Sequence, residues 1–287
     1  MIREDIVVGG LAGGAREIRV VVDGDLANAR TVRPDVRGRW SATLDSSAMV
    51  DATVTHRLVA WNPDEGRASA AREFRVEREW KRLARVADPA GDDSGPEGRY
   101  AYPTDASWGP RTLDLRDVLV EGAGGALRIS LRMGALSRSW NPPNGFDHVA
   151  FTLFIELPGA EGGATVMPLQ NAQLPGGMRW HRRLRAHGWS NALFSSDGAS
   201  ATSEGRTVTA AASIDTDPAT ATVRFTLTPA SLGGRRDLSG ARIHVATWDY
   251  DGGFRALGPD VVGGRFGGGN GATDPLVMDA SDIIVLP

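Results

Sequence analysis

A short acidic segment, residues 88–104, holds the side chains of this sequence that are best suited to bind a metal ion. Asp88, Asp92 and Asp93 offer carboxylate oxygens, and glycines stand between and after them. Ca²⁺ takes roughly six to eight oxygen ligands, and glycines let a loop turn so that its carbonyl oxygens face one ion. Aspartate and glycine also gather in ordinary solvated turns. The residue types alone leave a calcium loop and a solvated turn equally open.

Tryptophans with polar neighbours form a second group of candidate binding residues. An indole stacks on the C–H face of a pyranose, while amide groups bond to the sugar hydroxyls. The candidates for carbohydrate binding are Trp140 with Asn141 and Asn144, and the pair Trp180 and Trp189. Large aromatics in β-sandwiches more often serve the core, so each single tryptophan is also open to a structural interpretation. At least one of them is expected to contact a ligand.

Paired carboxylates that could act as acid and base have little support. Asp114 and Asp117 alternate with Leu113, Leu115 and Val118, and this spacing is typical of the polar face of a strand. The sequence has no G-x-x-x-x-G-K-S/T, G-x-S-x-G or H-E-x-x-H motif, which are the signatures of phosphate loops, serine hydrolases and zinc proteases. We therefore expect a protein that is not an enzyme.

The composition is that of a globular protein without a nucleic-acid or membrane partner. The chain has 287 residues, of which 41% are hydrophobic and 23% charged, and its net charge is −3. Such a charge provides no basic surface for nucleic acid. No apolar run reaches the roughly 18–20 residues of a spanning helix, so no membrane insertion is expected. Cysteine is absent, which excludes thiolate metal sites and fits an oxygen-bound ion such as Ca²⁺.

Short runs of β-forming residues extend through the chain. Gly, Pro, Asp or Asn separate them at intervals of about eight to twelve residues, which is typical of β-sandwiches. The predicted fold class is therefore all-β, with two sandwich domains. Residues 1–80 are predicted to form a small sandwich. Residues 81–287 are predicted to form a larger antiparallel sandwich whose long loops carry the function.

The acidic segment also carries a family resemblance. Its pattern D-P-x-G-D-D-x-G-P-x-G-x-Y-x-Y-P-T resembles the opening of the C-terminal domain of glucodextranase, a sandwich module related to DOMON-type domains. Further matches follow in the same order: W-N-P-P-N-G-F at residues 140–146, G-G-G-N-G at 267–271 and D-P at 274–275. The resemblance spans residues 88–287. The region before it looks like the immunoglobulin-like domain that precedes this module in glucodextranase.

The resemblance implies both a cofactor and a function. The cofactor is a structural Ca²⁺ with Asp88, Asp92, Asp93 and Asp274 as metal ligands, and the glycine-rich segment at residues 267–271 is expected to close on the acidic loop. The function is that of a non-catalytic carbohydrate-binding or cell-surface-attachment module associated with α-glucan metabolism. The expected partners are a polysaccharide or cell-wall glycan and a catalytic domain of the same or another exported protein. The expected location is extracellular or in the cell envelope.

Three alternatives stay open at this point. The chain can be a purely structural spacer of an exported protein, with no ligand. It can be a component of a glycoside hydrolase. It can also be a haem-binding DOMON-like domain with Met133 and His244 as axial ligands, for which residue type is the only support.

Overall fold

The computed structural model describes residues 6–209 and 211–287. Contacts within the chain divide it into two compact units, Met1–Trp80 and Lys81–Pro287. The regular structure of the described residues consists of β-strands and one short 3₁₀ turn, Pro175–Gly177. The all-β fold class is thereby confirmed. No helix that is long and apolar enough to cross a membrane occurs in this described part.

The first unit contains two small antiparallel sheets. Its strands are β1 (Ile6–Leu11), β2 (Ile18–Val22), β3 (Arg30–Val32), β4 (Arg39–Leu44), β5 (His56–Asn62), β6 (Arg67–Ala68) and β7 (Arg72–Phe74). β1 pairs with β4, and β2 lies between β3 and β5, which also pairs with β6 and β7. Ile18, Val20, Leu58 and Val76 form part of its core. The immunoglobulin-like character of this unit stays a prediction.

The second unit is built on two larger sheets. Its strands are β8 (Lys81–Ala87), β9 (Leu115–Ala123), β10 (Ala126–Met133), β11 (Ala150–Glu156), β12 (Val166–Met167), β13 (Ala172–Gln173), β14 (Arg182–His187), β15 (Ser190–Ser195), β16 (Arg206–Val208), β17 (Ser213–Asp217), β18 (Thr222–Leu227), β19 (Arg242–Trp248), β20 (Asp279–Ala280) and β21 (Ile284–Val285). One sheet has the order β17-β18-β10-β9-β8. The other has the order β16-β15-β14-β11-β19-β20, with β21 also paired to β19.

These two sheets bury a common apolar face. Ile129 and Leu131 of β10 and Phe151 and Leu153 of β11 are fully buried in one cluster. Successive strand residues point to opposite faces, so this period-two pattern directs the apolar side chains of both sheets inward. Two antiparallel sheets that share such a core form the β-sandwich predicted for this region.

The outer face of β11 is buried as well, although sequence alternation alone does not require it. Phe154 points away from the main core and packs with Met178 and Trp180 in a separate apolar cluster. The long connection from β11 to β14, which contains the β12–β13 hairpin, supplies Met178 and Trp180. This connection therefore acts as a cover on the seven-stranded sheet.

The acidic segment and the glycine-rich segment lie against each other, as the family resemblance implies. Ala101 and Gly267 exchange two backbone hydrogen bonds of 3.1 and 3.0 Å. The Tyr100 hydroxyl donates to the carbonyl of Pro275 at 3.0 Å. Gly268 has a φ of +91°, and a Cβ at this position would lie 2.0 Å from the backbone oxygen of Arg99. The contact therefore requires a glycine here for both conformation and space.

We predict that Gly268→Ala destabilises the second unit more than Gly252→Ala does. Gly252 has a φ of +69° with nothing near its Cβ position. Its alanine variant should therefore lose only the cost of a left-handed backbone, about 1–2 kcal/mol in the free energy of unfolding. Gly268→Ala adds a steric clash worth about 1–3 kcal/mol. Urea unfolding followed by tryptophan fluorescence measures both losses. Equal losses would contradict the close approach of the two segments.

Candidate functional site

Two aspartates of the acidic segment meet a third from the far end of the second unit. Asp88 follows β8, Asp92 lies in the loop, and Asp279 begins β20. Each offers a carboxylate oxygen, and these oxygens lie within 4.8 Å of one another. Asp279 is buried, Asp88 is partly buried and Asp92 is exposed. The arrangement concentrates negative charge at one point on the edge of the sandwich.

Backbone hydrogen bonds hold the cluster in place. The carboxylate of Asp279 accepts from the amides of Leu115 and Ala280, both at 2.7 Å. The amide of Asp88 donates to the carbonyl of Arg116 at 3.0 Å. β9 thus positions two of the three aspartates, because Leu115 and Arg116 are its first residues.

Burial and mutual repulsion make the ionised cluster unfavourable. Burial, with the charges of Asp279 and Asp92 next, raises the pKa of Asp88 to about 7. Burial is also the main reason that the pKa of Asp279 rises to about 7, with the charges of Asp92 and Asp114 adding to it. Like charges held close together disfavour ionisation in this way. The cluster is short of positive charge.

The donor set fits a hard divalent cation. Oδ2 of Asp88 is buried and makes no hydrogen bond, and a buried polar atom without a partner costs free energy unless something compensates it. The cluster offers carboxylate oxygens only, which is the ligand type of Ca²⁺. Asp88, Asp92 and Asp279 would hold the ion, and its contribution would be to neutralise their charge and join the acidic segment to β20.

The two other predicted ligands, Asp93 and Asp274, lie in different hydrogen-bond networks. Oδ2 of Asp93 accepts from the Tyr102 hydroxyl at 2.6 Å. Oδ2 of Asp274 accepts from the amide of Asn270 at 2.9 Å, which fixes the glycine-rich turn. The geometry groups Asp88 and Asp92 with Asp279 instead. Asp279 stands just beyond the glycine-rich segment in the sequence, where Asp274 was the predicted ligand, and the pairing of β20 with β19 is what brings Asp279 to the cluster.

Two of the candidate tryptophans form an exposed pair. Trp140 is 52% exposed and Trp189 is 49% exposed. Their ring centroids are 6.0 Å apart, and their planes meet at 43°. Trp189 lies in the turn of the β14–β15 hairpin, and Trp140 lies in the long connection between β10 and β11. Two exposed indoles on separate loops thus face the same region of solvent.

The candidate asparagines differ in their roles. The side-chain amide of Asn144 donates to the carbonyl of His187 at 2.7 Å, and its backbone amide donates to Gly188 at 3.0 Å. Asn144 therefore ties the Trp140 loop to the Trp189 turn and acts as a positioning residue. Asn141 is exposed next to Trp140 and has a φ of +47°, a conformation that asparagine tolerates better than most residues.

Further aromatic groups that the sequence analysis did not single out continue the surface beyond Trp189. The ring of His187 lies 6.5 Å from Trp189 and 4.9 Å from Tyr250. The guanidinium of Arg185 lies 3.9 Å over the Tyr250 ring. Period-two alternation on β14 places Arg185 and His187 on one face of the strand. This alternation, and their position in the arginine-rich stretch that ends at Trp189, are the signals in the sequence that point to them.

Trp180 requires a correction. Its side chain is fully buried, and its Nε1 donates to the carbonyl of Val166 at 2.8 Å. It packs edge-on against Phe154 beneath the β12–β13 cover. An indole with no exposed face cannot stack on a sugar, so Trp180 serves the core.

Met133 and His244 are not placed to act together as axial ligands of a haem. Met133 lies in the core between the sheets. His244 is on β19 between Ile243 and Val245, which face that core, so the imidazole points to the opposite side of the sheet, where it packs near Phe154. A single iron cannot reach both side chains through the sheet.

The carboxylates Asp114 and Asp117 are engaged by arginines. Asp114 is fully buried and pairs with Arg116 at 2.8 Å and Arg111 at 3.1 Å. Asp117 pairs with Arg85 at 2.8 Å. Neither carboxylate stands at an open cleft as one of a facing acid–base pair, so the structure provides no support for catalysis through them.

Comparison with known proteins gives one informative match. Residues 83–284 match the family model described as the C-terminal binding-module, SLH-like, of glucodextranase. No curated protein matches the chain. A crystal structure of a DUF3823 family protein from Parabacteroides merdae ATCC 43184 is 10% identical, covers 100% of each chain and gives a TM-score of 0.20. A TM-score this low does not indicate a shared fold.

We predict that the contribution of Asp88 and Asp279 to the stability of the metal-free protein falls as the pH rises from about 4 to 7. Their folded-state pKa values are about 7, above the unfolded value of about 3.9. These two groups therefore bind more protons in the folded state across this window, and their deprotonation favours unfolding. Melting temperatures measured in chelator between pH 5 and 8 should fall less in Asp88→Asn than in the wild type.

Asp260→Asn is the matched control, because Asp260 is exposed. Its pH profile should run parallel to that of the wild type. Parallel profiles for Asp88→Asn as well would show that the cluster is not electrostatically strained.

Proposed function

Because the chain belongs to the family of C-terminal, SLH-like binding modules of glucodextranase over residues 83–284, we propose that it is a non-catalytic module that binds a polysaccharide. The family description names a binding module attached to an enzyme. A sandwich with ligand-binding loops at one edge fits that role, since loops on a rigid scaffold usually carry recognition. The protein then holds an exported catalytic domain close to its glycan, outside the cell or in its envelope.

The observation that carries this proposal is the exposed indole pair of Trp140 and Trp189. Neighbouring exposed apolar side chains with polar residues beside them are typical of a ligand-binding surface. Both loops are fixed, because Asn144 joins them and Asp147 accepts a 2.7 Å hydrogen bond from the Trp140 amide. A preorganised aromatic surface binds a sugar with little entropic cost.

The angle between the indoles favours a particular chain shape. Planes that meet at 43° cannot both lie flat on a straight, sheet-like polymer. They suit a chain that bends between sugar units, so that each indole contacts a differently oriented ring. An α-glucan has this curvature, and we propose it as the polysaccharide class.

We also propose that Ca²⁺ binds at Asp88, Asp92 and Asp279 and stabilises the module. The support is the orphaned Oδ2 of Asp88, the raised pKa values of Asp88 and Asp279 and the oxygen-only donor set. The positive charge of the ion would offset the repulsion among these three carboxylates. Its role is structural, because the indole pair lies on other loops.

We predict that Ca²⁺ raises the melting temperature and that a chelator reverses the shift. At a hundredfold excess over its dissociation constant, a ligand that binds only the folded state stabilises it by about 2.7 kcal/mol, or about 5–10 °C here. Differential scanning calorimetry at pH 7 measures the shift. Asp88→Asn and Asp92→Asn should abolish it, while Asp260→Asn should retain it. Identical melting curves with millimolar Ca²⁺ and with chelator would exclude the site.

We predict that Trp140→Ala and Trp189→Ala each weaken polysaccharide binding at least about tenfold, as expected for aromatic anchors. Affinity electrophoresis in gels containing dextran, pullulan, soluble starch or xylan measures the dissociation constant. Trp61→Ala is the matched control, because this indole lies on β5 in the other unit. Its mobility should equal that of the wild type.

The spacer alternative makes the opposite prediction. If none of the polysaccharides retards the wild type, the module has no glycan ligand of these classes and acts as a spacer. Retardation that survives in both tryptophan variants would place the binding site elsewhere.

A further inference from the structure

A separate cleft opens on the other side of the acidic loop. It has a volume of about 470 Å³ and is lined by Asp93, Tyr102, Trp108 and Arg111 together with prolines and glycines. Ligand pockets typically have volumes of about 300–1,000 Å³ and combine aromatic walls with a few fixed polar groups. Neither the calcium proposal nor the Trp140–Trp189 pair uses this cleft.

The polar groups of the cleft are held rigidly. The side chain of Asp93 is 9% exposed, and the Tyr102 hydroxyl donates to its Oδ2 at 2.6 Å. That hydroxyl in turn accepts from the amide of Leu113 at 2.9 Å. Tyr102 therefore fixes the carboxylate, which keeps acceptor capacity because a carboxylate has about four lone-pair positions.

Arg111 supplies the complementary donors. Its Nη1 bonds to Oδ2 of Asp114 at 3.1 Å and lies 4.0 Å from Oδ1 of Asp93, beyond hydrogen-bond distance. A guanidinium has five N–H donors, so several remain for a ligand. A Cβ on Gly91 would lie 2.3 Å from this Nη1, and glycine at that position leaves the space that the guanidinium occupies.

We propose that this cleft is a second carbohydrate subsite that takes an uncharged pyranose through two adjacent hydroxyls. One hydroxyl donates to the carboxylate of Asp93, and its neighbour accepts from the guanidinium of Arg111. The partly buried indole of Trp108 lines the cleft. The Arg255 guanidinium lies over this ring at 5.4 Å, so the C–H side of the sugar packs against the part of the indole that Arg255 leaves open. The inference rests on the proposed polysaccharide-binding function and adds a place and a sugar class to it.

The charges around the cleft suit a neutral sugar. Arg111 lies beside the carboxylates of Asp93 and Asp114, and Arg116 also pairs with Asp114, so positive and negative charges balance. A hydroxyl can pair with either charge, whereas a uronate or phosphate would add a negative charge without a partner beside Asp93. The subsite is therefore suited to neutral sugar units.

The cleft lies close to the indole pair. The ring of the buried His148 lies 4.5 Å from that of Trp108 and 4.4 Å from that of Trp140. We propose that one polysaccharide chain reaches both places. Contacts made by one linked ligand at two places reinforce each other.

The test uses Asp93→Asn and Arg111→Gln in the full chain, with Ca²⁺ at saturation. The probes are dextran, pullulan, soluble starch and xylan as neutral polymers and polygalacturonate as an anionic one, all in affinity gels. Loss of one charge-assisted hydrogen bond should raise the dissociation constant for the neutral polymer that retards the wild type about tenfold. Arg132→Gln is the control, because Arg132 is exposed on β10, and it should bind like the wild type.

The outcomes separate the two proposals. No retardation of the wild type by any neutral polymer overturns both. Retardation that Trp140→Ala weakens but Asp93→Asn and Arg111→Gln leave unchanged overturns the subsite alone. Retardation by polygalacturonate that Arg111→Gln removes overturns the neutral sugar class.

Two further measurements keep the result interpretable. Bound calcium and the melting temperature are determined for each variant, because Asp93 lies beside Asp92. If Arg111→Gln does not fold, since it leaves the buried Asp114 with one arginine fewer, Arg111→Lys keeps the charge and loses the planar donor fork. Unchanged affinity in Arg111→Lys and in Asp93→Asn overturns the subsite.

Discussion

The repulsion among Asp88, Asp92 and Asp279 is the constraint on which the organisation of the second unit depends. Carboxylate oxygens within 4.8 Å resist being held together. The fold nevertheless holds them there, through hydrogen bonds from β9 and through the contact between the acidic and glycine-rich segments. Asp93, the next residue along the loop, is fixed separately by the Tyr102 hydroxyl.

The local features of this chain were predictable and the long-range ones were not. Side-chain alternation and turn residues are properties of neighbouring positions, so the strands, the acidic loop and the exposed Trp140 and Trp189 could be found from the sequence. The place of Asp279 in the cluster, instead of Asp274, could not be predicted, because it depends on a hydrogen bond between residues 164 positions apart. Trp180 stands in an arginine-rich stretch that resembles an exposed loop, and only the β12–β13 cover buries it.

The indole pair illustrates how a sandwich separates stability from recognition. Residues that face the core between the sheets are apolar and fully buried, whereas Trp140 and Trp189 lie on connections that leave the sheets. Asn144 links those connections through backbone carbonyls, while Asp147 and His148 support Trp140 from below. Such an arrangement allows the loops to change their ligand without repacking the core.

The distance along the chain between Asp88 and Asp279 has a consequence for the order of folding. The cluster cannot form until β19 has been synthesised and has paired with β20, because closing so long a loop is a costly, late event. A cation at this position would thus act on an assembled sandwich and would not nucleate it. Removal of the ion would first loosen the contact between the acidic segment, near the start of the unit, and β20, near its end. The inner strands would stay paired.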